Sequence, residues 1–171
     1  EHNKLNLAIL PSKAFHRIAR LDAPIRVIQG SSSAGKTYSI MQRLVIQALW
    51  KGMAKKTVSI VTDTYPNLKR GAFQDFKEIC EAGNVNVEIP KQPGDVEVGA
   101  YTFQFFSVDD EKKARGGRRD ILFINEANRL DWEIARQLIM RARETVYIDY
   151  NPDRLFWANE KYINPKKCDL L

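Results

Sequence analysis

The chain has 171 residues, 44% of them hydrophobic and 28% charged, which gives one domain a proper core and excludes a disordered or low-complexity polypeptide. Its formal net charge of +6 is compatible with a polyanionic partner. No apolar run reaches the ~18 residues of a membrane span, no signal-peptide layout opens the chain, and Cys80 and Cys168 stand outside any metal-ligand spacing. Membrane insertion and secretion are therefore unsupported, and the thiols read as reduced ones in a cytoplasmic setting.

Residues 1–23 form a lead-in arm, with a short helix capped at Ser12 and Phe15 more at home in a core than stacked on a base. Ile25-Arg26-Val27-Ile28-Gln29 reads as a short strand. It enters Gly30-Ser31-Ser32-Ser33-Ala34-Gly35-Lys36-Thr37, a match to the phosphate-loop pattern G-x-x-x-x-G-K-S/T at every fixed position. Such a loop turns successive N–H groups toward phosphate oxygens at the positive end of the following helix. All eight residues are candidate nucleotide contacts, Lys36 reaching the β- and γ-phosphates and the Thr37 hydroxyl serving as a Mg²⁺ ligand. Apolar residues at helical spacing carry that helix from Lys36 to Lys51, with Gly52 placed as its C-cap.

Thr57–Thr62 is β-branched and apolar, as in a buried parallel strand. A turn over Asp63–Asn67 and a helix over Leu68–Cys80 follow. Val85, Val87 and Ile89, then Val96, Val98, Tyr101, Phe103 and Phe105, alternate with polar residues and suggest a meander or hairpin inserted beside the parallel sheet. The most basic stretch comes next, with Lys112, Lys113, Arg115, Arg118 and Arg119 around Gly116-Gly117. Ile121–Ile124 is a second buried strand, ending in Asn125-Glu126-Ala127-Asn128. A helix capped at Asp131 directs Trp132, Ala135, Leu138, Ile139 and Ala142 inward. Thr145–Tyr150 is a further strand, stopped by Asn151-Pro152, and the last residues read as a helix.

Nucleotide hydrolysis needs a phosphate cradle, a metal, an oriented water and positive charge where the transition state gains negative charge. The loop supplies the first two. Glu126, at the carboxyl end of an apolar strand, is the candidate water-activating carboxylate, the alternative being a Glu that caps the next helix. Asn125 precedes it where many phosphate-loop ATPases place an Asp, so it could meet Mg²⁺ only through water and without charge. Asp120, a strand length away, reads as structural. Arg115, Arg118 and Arg119 are equally candidates for an arginine finger and for a DNA-facing basic loop.

The phosphate loop, the helical segment after Tyr65-Pro66-Asn67-Leu68, Arg115-Gly116-Gly117-Arg118, the Asn125-Glu126-Ala127-Asn128 strand end and Asn151-Pro152 together resemble, in order, the ATPase domain of large terminase subunits of tailed bacteriophages. The N-E-A-N strand end resembles the PBSX-like branch. The resemblance implies an α/β phosphate-loop NTPase of the additional-strand, catalytic-Glu (ASCE, RecA-like) type, with a mostly parallel sheet flanked by helices. It implies a motor using ATP and Mg²⁺ to drive double-stranded DNA into a procapsid, as a homo-oligomeric ring in the host cytoplasm, with portal protein and small terminase subunit as partners. In that light Lys36, Glu126 and Arg115 are catalytic, Arg115 acting in trans, and Asn151 is the coupling residue that senses the γ-phosphate. A basic residue inside the phosphate loop, usual in many terminases, is missing from Ser31-Ser32-Ser33-Ala34. A C-terminal nuclease domain is not expected in this stretch, nor is nuclease activity. The rival readings are a RecA-like helicase or other DNA-dependent ATPase, a small-molecule kinase, and a nucleotide-binding assembly module that turns over poorly because of Asn125.

Overall fold

The computed structural model describes residues 12–31, 35–50, 52–110, 112–113 and 116–171. Residues 1–11 of the expected 1–23 arm, the loop residues Ser32, Ser33 and Ala34, and Arg115 lie outside the described residues.

Helix α1 (Lys13–Ile18) starts at Ser12, whose hydroxyl accepts from the Phe15 amide at 3.1 Å, as a serine N-cap should. Strand β1 (Ile25–Gln29) then leads to α2 (Lys36–Leu49), β2 (Lys56–Thr62), α3 (Tyr65–Arg70) and α4 (Ala72–Ala82). Strands β3 (Asp95–Val98), β4 (Tyr101–Ser107) and β5 (Arg119–Ile124) follow, then a 3₁₀ turn (Ala127–Arg129) and α5 (Trp132–Met140). Strand β6 (Ala142–Tyr150), a π-helical turn (Asn159–Ile163) and β7 (Asp169–Leu170) complete the order.

Among the described residues these seven strands make one sheet in the order β3-β4-β2-β5-β6-β1-β7, parallel throughout except for β3. The central strands are apolar on consecutive residues because both faces of the sheet are covered. On one face Ile40, Met41 and Leu44 of α2 and Phe73 and Phe76 of α4 pack on Phe103 and Phe105, the Phe73–Phe105 ring centroids 5.0 Å apart. On the other, Ala135 and Leu138 of α5 cover Leu122, Ile124 and Ile148. This is the expected α/β arrangement, and β6 is the additional strand: it lies between β5 and β1, so the ends of all three meet beside the phosphate loop.

Several boundaries differ from the sequence reading. Helix α2 stops at Leu49, Trp50 is extended, and Gly52 lies in the turn beyond rather than capping the helix. The helix expected over Leu68–Cys80 begins earlier, at the Thr64 cap, and is broken at Gly71 into α3 and α4. A Cβ at Gly71 would stand 2.9 Å from the Asn67 carbonyl, so the break depends on the missing side chain. Val85, Val87 and Ile89 pack on the core without forming a strand. The hairpin turns at Gly99, inside what reads as one alternating run, and its second strand β4 is itself a parallel neighbour of β2. Ala142 opens β6 instead of closing α5, and the helix expected at the end is a π-helical turn followed by an edge strand.

Candidate active site

The carboxyl ends of β1, β5 and β6 open onto one crevice, the place where parallel sheets bind ligands. At its floor the Gly30 amide donates to the Tyr150 carbonyl at 3.3 Å. Gly35 takes φ +68 at the head of α2, a left-handed conformation that costs a residue without a Cβ little. Lys36 follows, only 8% exposed, its Nζ donating to Asn151 Oδ1 at 2.8 Å and to the Ser31 carbonyl at 3.1 Å. Burial holds its pKa below the ordinary lysine value, against the opposing pull of Asp149 and Glu126.

Thr37 is tied to the neighbouring strands. Its hydroxyl donates to Asp149 Oδ2 at 2.7 Å and accepts from Asn125 Nδ2 at 3.0 Å. Ile124 of β5 pairs with Ile148 of β6, so Asn125 and Asp149 come side by side, and Asn125 Nδ2 lies 3.1 Å from both carboxylate oxygens. The Glu126 amide donates to Asp149 Oδ1 at 2.6 Å. Asp149 has no exposed surface; burial raises its pKa, while Thr37, the Glu126 amide, Lys36 and Asn125 all pull it down.

Glu126 sits at φ 52, ψ 52, left-handed for a residue with a side chain, a conformation that costs about 1–2 kcal/mol and concentrates at functional sites. Its carboxylate meets Arg129 at 3.4 Å, and Arg129 reaches Asp63 at 3.9 Å. Beside it opens a cavity of about 280 Å³ lined by Thr37, Asn67, Arg70, Asp75, Glu126 and Arg129 among others. Burial, with Glu78 and Asp149 adding, pushes the Asp75 carboxyl up to about 6.

A family model for the phage terminase large subunit matches residues 22–170. The chain belongs to that family. Among curated proteins no sequence matches it. Among solved structures, the large terminase of a thermophilic bacteriophage superposes with a TM-score of 0.78 at 16% identity over 95% of this chain. The chain spans 45% of that protein's length. The same thermophilic phage's terminase in complex with ATP-γ-S gives a TM-score of 0.74 at 16% identity, covering 95% of this chain and 44% of that one. The large terminase ATPase domain of Thermus phage P74-26 gives 0.72 at 18% identity, covering 90% of this chain and 70% of that one. These likenesses establish the terminase ATPase fold.

Within this terminase chain Gly30, Ser31, Gly35, Lys36, Thr37, Asn125, Glu126 and Asn151 converge on the crevice from separate stretches of sequence. Arg118 and Arg119 do not: they stand at the amino end of β5, a strand length from Glu126. Arg119 is moreover only 2% exposed and donates to Ser59 Oγ, the Leu138 carbonyl and the Gly116 carbonyl, so it is a structural residue and not a free finger. Asp120 accepts from the Thr57 amide at 2.8 Å, a structural contact as its position suggests. The sequence reading missed Asp149, Asp75 and Arg129, whereas Arg70, read as a solvated cation that could also touch phosphate or DNA, does line the cavity. For Asp149 one signal existed, a lone carboxylate closing an otherwise apolar strand just before Asn151-Pro152.

Proposed function

We propose that this chain is the ATP-hydrolysing motor domain of a phage DNA-packaging machine, and that its crevice binds Mg²⁺-ATP. The observation that carries the reading is the junction of Thr37, Asn125, Glu126 and Asp149 beside Lys36, in a chain of the terminase family. The residues fit Mg²⁺: the donors are hard oxygens, and among the described residues no group of three His, Cys, Asp or Glu forms a protein cage, in keeping with an ion held largely by phosphate and water. Thr37 would ligate it, with Asn125 meeting it through water. Bound there, Mg²⁺ neutralises charge on the phosphates.

The chain's own residues take the remaining roles. Lys36 exchanges its bonds to Asn151 and Ser31 for phosphate oxygens, so Asn151 feels whether the γ-phosphate is present, as a coupling residue must. Gly30, Ser31 and Gly35 contact the phosphates, and Ser32, Ser33 and Ala34 are assigned to nucleotide binding from the G-x-x-x-x-G-K-T motif they complete. Glu126 orients a water and takes its proton on the carboxylate, once released from Arg129. Arg115 brings positive charge in trans from a neighbouring subunit of a homo-oligomeric ring. Double-stranded DNA, portal protein and small terminase subunit are the partners, in the host cytoplasm. The N-E-A-N strand end supports the PBSX-like branch. Asn125, the residue that favours a non-hydrolysing module, is backed by a carboxylate at Asp149.

The test is ATP turnover per protein molecule over a wide concentration range, with Glu126→Gln as the blank. Turnover that rises with concentration and vanishes in Arg115→Ala supports a site completed by a neighbour. Turnover independent of concentration removes the trans role of Arg115, and its absence at every concentration, with or without DNA, sinks the ATPase reading.

A further inference from the structure

Asn125 and Asp149 are matched across neighbouring strands. The Asn125 amide group faces three oxygens, both of Asp149 at 3.1 Å and Thr37 Oγ1 at 3.0 Å, so this position must donate. An Asp at 125 would set two carboxylates against each other out of water, which disfavours charge on both. Every close neighbour of Asp149, in turn, presents a hydrogen to it: the Thr37 hydroxyl, the Asn125 amide and the Glu126 backbone N–H. The hydroxyl of Thr37 has one hydrogen and two lone pairs. Asp149 takes the hydrogen and Asn125 one lone pair, and among the described residues nothing takes the other, which can face a cation.

We infer that Asp149 is the positioning carboxylate of the Mg²⁺-nucleotide site, bringing from β6 the negative charge that Asn125 does not bring from β5, with Asn125 as its dedicated donor. This rests on the nucleotide-hydrolysing reading above. Asp149 acts through two other residues. It orients the Thr37 oxygen, and through the Glu126 amide it fixes the backbone that aims the Glu126 carboxylate.

The experiment measures the affinity of a fluorescent, non-hydrolysable ATP analogue against Mg²⁺ concentration for the 171-residue wild type, Asp149→Asn, Asn125→Asp and the exchange variant carrying both substitutions, with circular dichroism and thermal melting for each. Asp149→Asn should raise the Mg²⁺ midpoint at least about tenfold, the usual size for loss of an outer-shell partner. Asn125→Asp should melt below wild type. The exchange variant, with charge and donor interchanged, should recover the wild-type Mg²⁺ midpoint; a merely structural role for Asp149 predicts instead that the midpoint of folded Asp149→Asn stays at the wild-type value. An unchanged midpoint in folded Asp149→Asn overturns the assignment, as does an exchange variant that fails to fold or keeps the raised midpoint. If Asp149→Asn alone does not fold, the exchange variant decides in the same terms. Wild type that binds no analogue at any Mg²⁺ concentration overturns the ATPase reading along with this one; wild-type binding with an indifferent Asp149→Asn overturns this one alone.

Discussion

Replacing Arg119 by alanine should weaken the fold and leave the crevice intact, and the size of the loss follows from its three hydrogen bonds. The bond to the Gly116 carbonyl, 3.1 Å long, ends on an exposed glycine, so water can replace it. Those to Ser59 Oγ at 3.0 Å and the Leu138 carbonyl at 3.3 Å are buried. Neither acceptor is orphaned by the change, because Ser59 also bonds Gln104 and the Leu138 carbonyl also accepts from the Arg141 amide. Each therefore counts at the low end for a charged donor, about 1.5 kcal/mol. The void and the lost contact with the Phe106 ring, 5.7 Å from the guanidinium carbon, add to this. Relief of a buried charge subtracts from it, for burial, with Arg141 adding, pushes the Arg119 pKa down to about 10. The net expectation is a loss of about 2–3 kcal/mol in urea unfolding, followed through the fluorescence of Trp132 and Trp157, which pack together on the α5 side of the sheet. Binding of an ATP analogue per folded molecule should match wild type. A loss under about 1 kcal/mol, or folded protein that no longer binds the analogue, would refute the structural assignment of Arg119.

Two further outcomes test the framework around the site. Asp75 has its pKa raised from 3.8 to about 6, so the fold prefers its neutral form: its contribution to stability is complete below about pH 4 and is lost as pH rises through 6. Asp75→Asn should remove that slope and raise stability at about pH 7.5 by about 1 kcal/mol, the full shift being discounted because the residue opens onto a cavity; equal denaturation curves at about pH 5 and about pH 7.5 in wild type would contradict this. Gly99 turns the β3–β4 hairpin at φ 53 against the end of α2, where an added Cβ would overlap the Ala48 carbonyl. Gly99→Ala should cost about 2–4 kcal/mol, and an unchanged melting temperature would show that the hairpin is not seated there.

What the sequence makes legible is what local chemistry dictates. The strand, phosphate loop and helix from Ile25 to Leu49 follow from spacing and glycines, and Ile121–Ile124 reads as a buried strand because four consecutive apolar residues need cover on both faces. Asn125 and Glu126 are visible because polar residues at the end of such a strand stand out. Asp149 is harder to place, since its role depends on β6 lying between β5 and β1, a matter of strand order and not of spacing. The Gly99 turn hides because apolar residues alternate on both sides of it, although the period slips by one residue between Val98 and Tyr101, the signal that marks it. The Gly71 break hides for a similar reason: α3 and α4 keep one apolar face on either side of it.

The short edge strand β7 links the end of the described chain to the site. Leu171 donates to the Val27 carbonyl at 2.9 Å, and its own carbonyl accepts from the Gln29 amide at 2.8 Å. Asp169 meanwhile accepts from the amides of Asp22 and Ala23, both at 2.9 Å, and so clamps the approach to β1. Gln29 immediately precedes Gly30, the first residue of the phosphate loop. A load applied at Leu171 is thus borne in shear by the strand that carries the loop, one hydrogen bond away from it, so that tension at this edge and the seating of the phosphate cradle are in mechanical series.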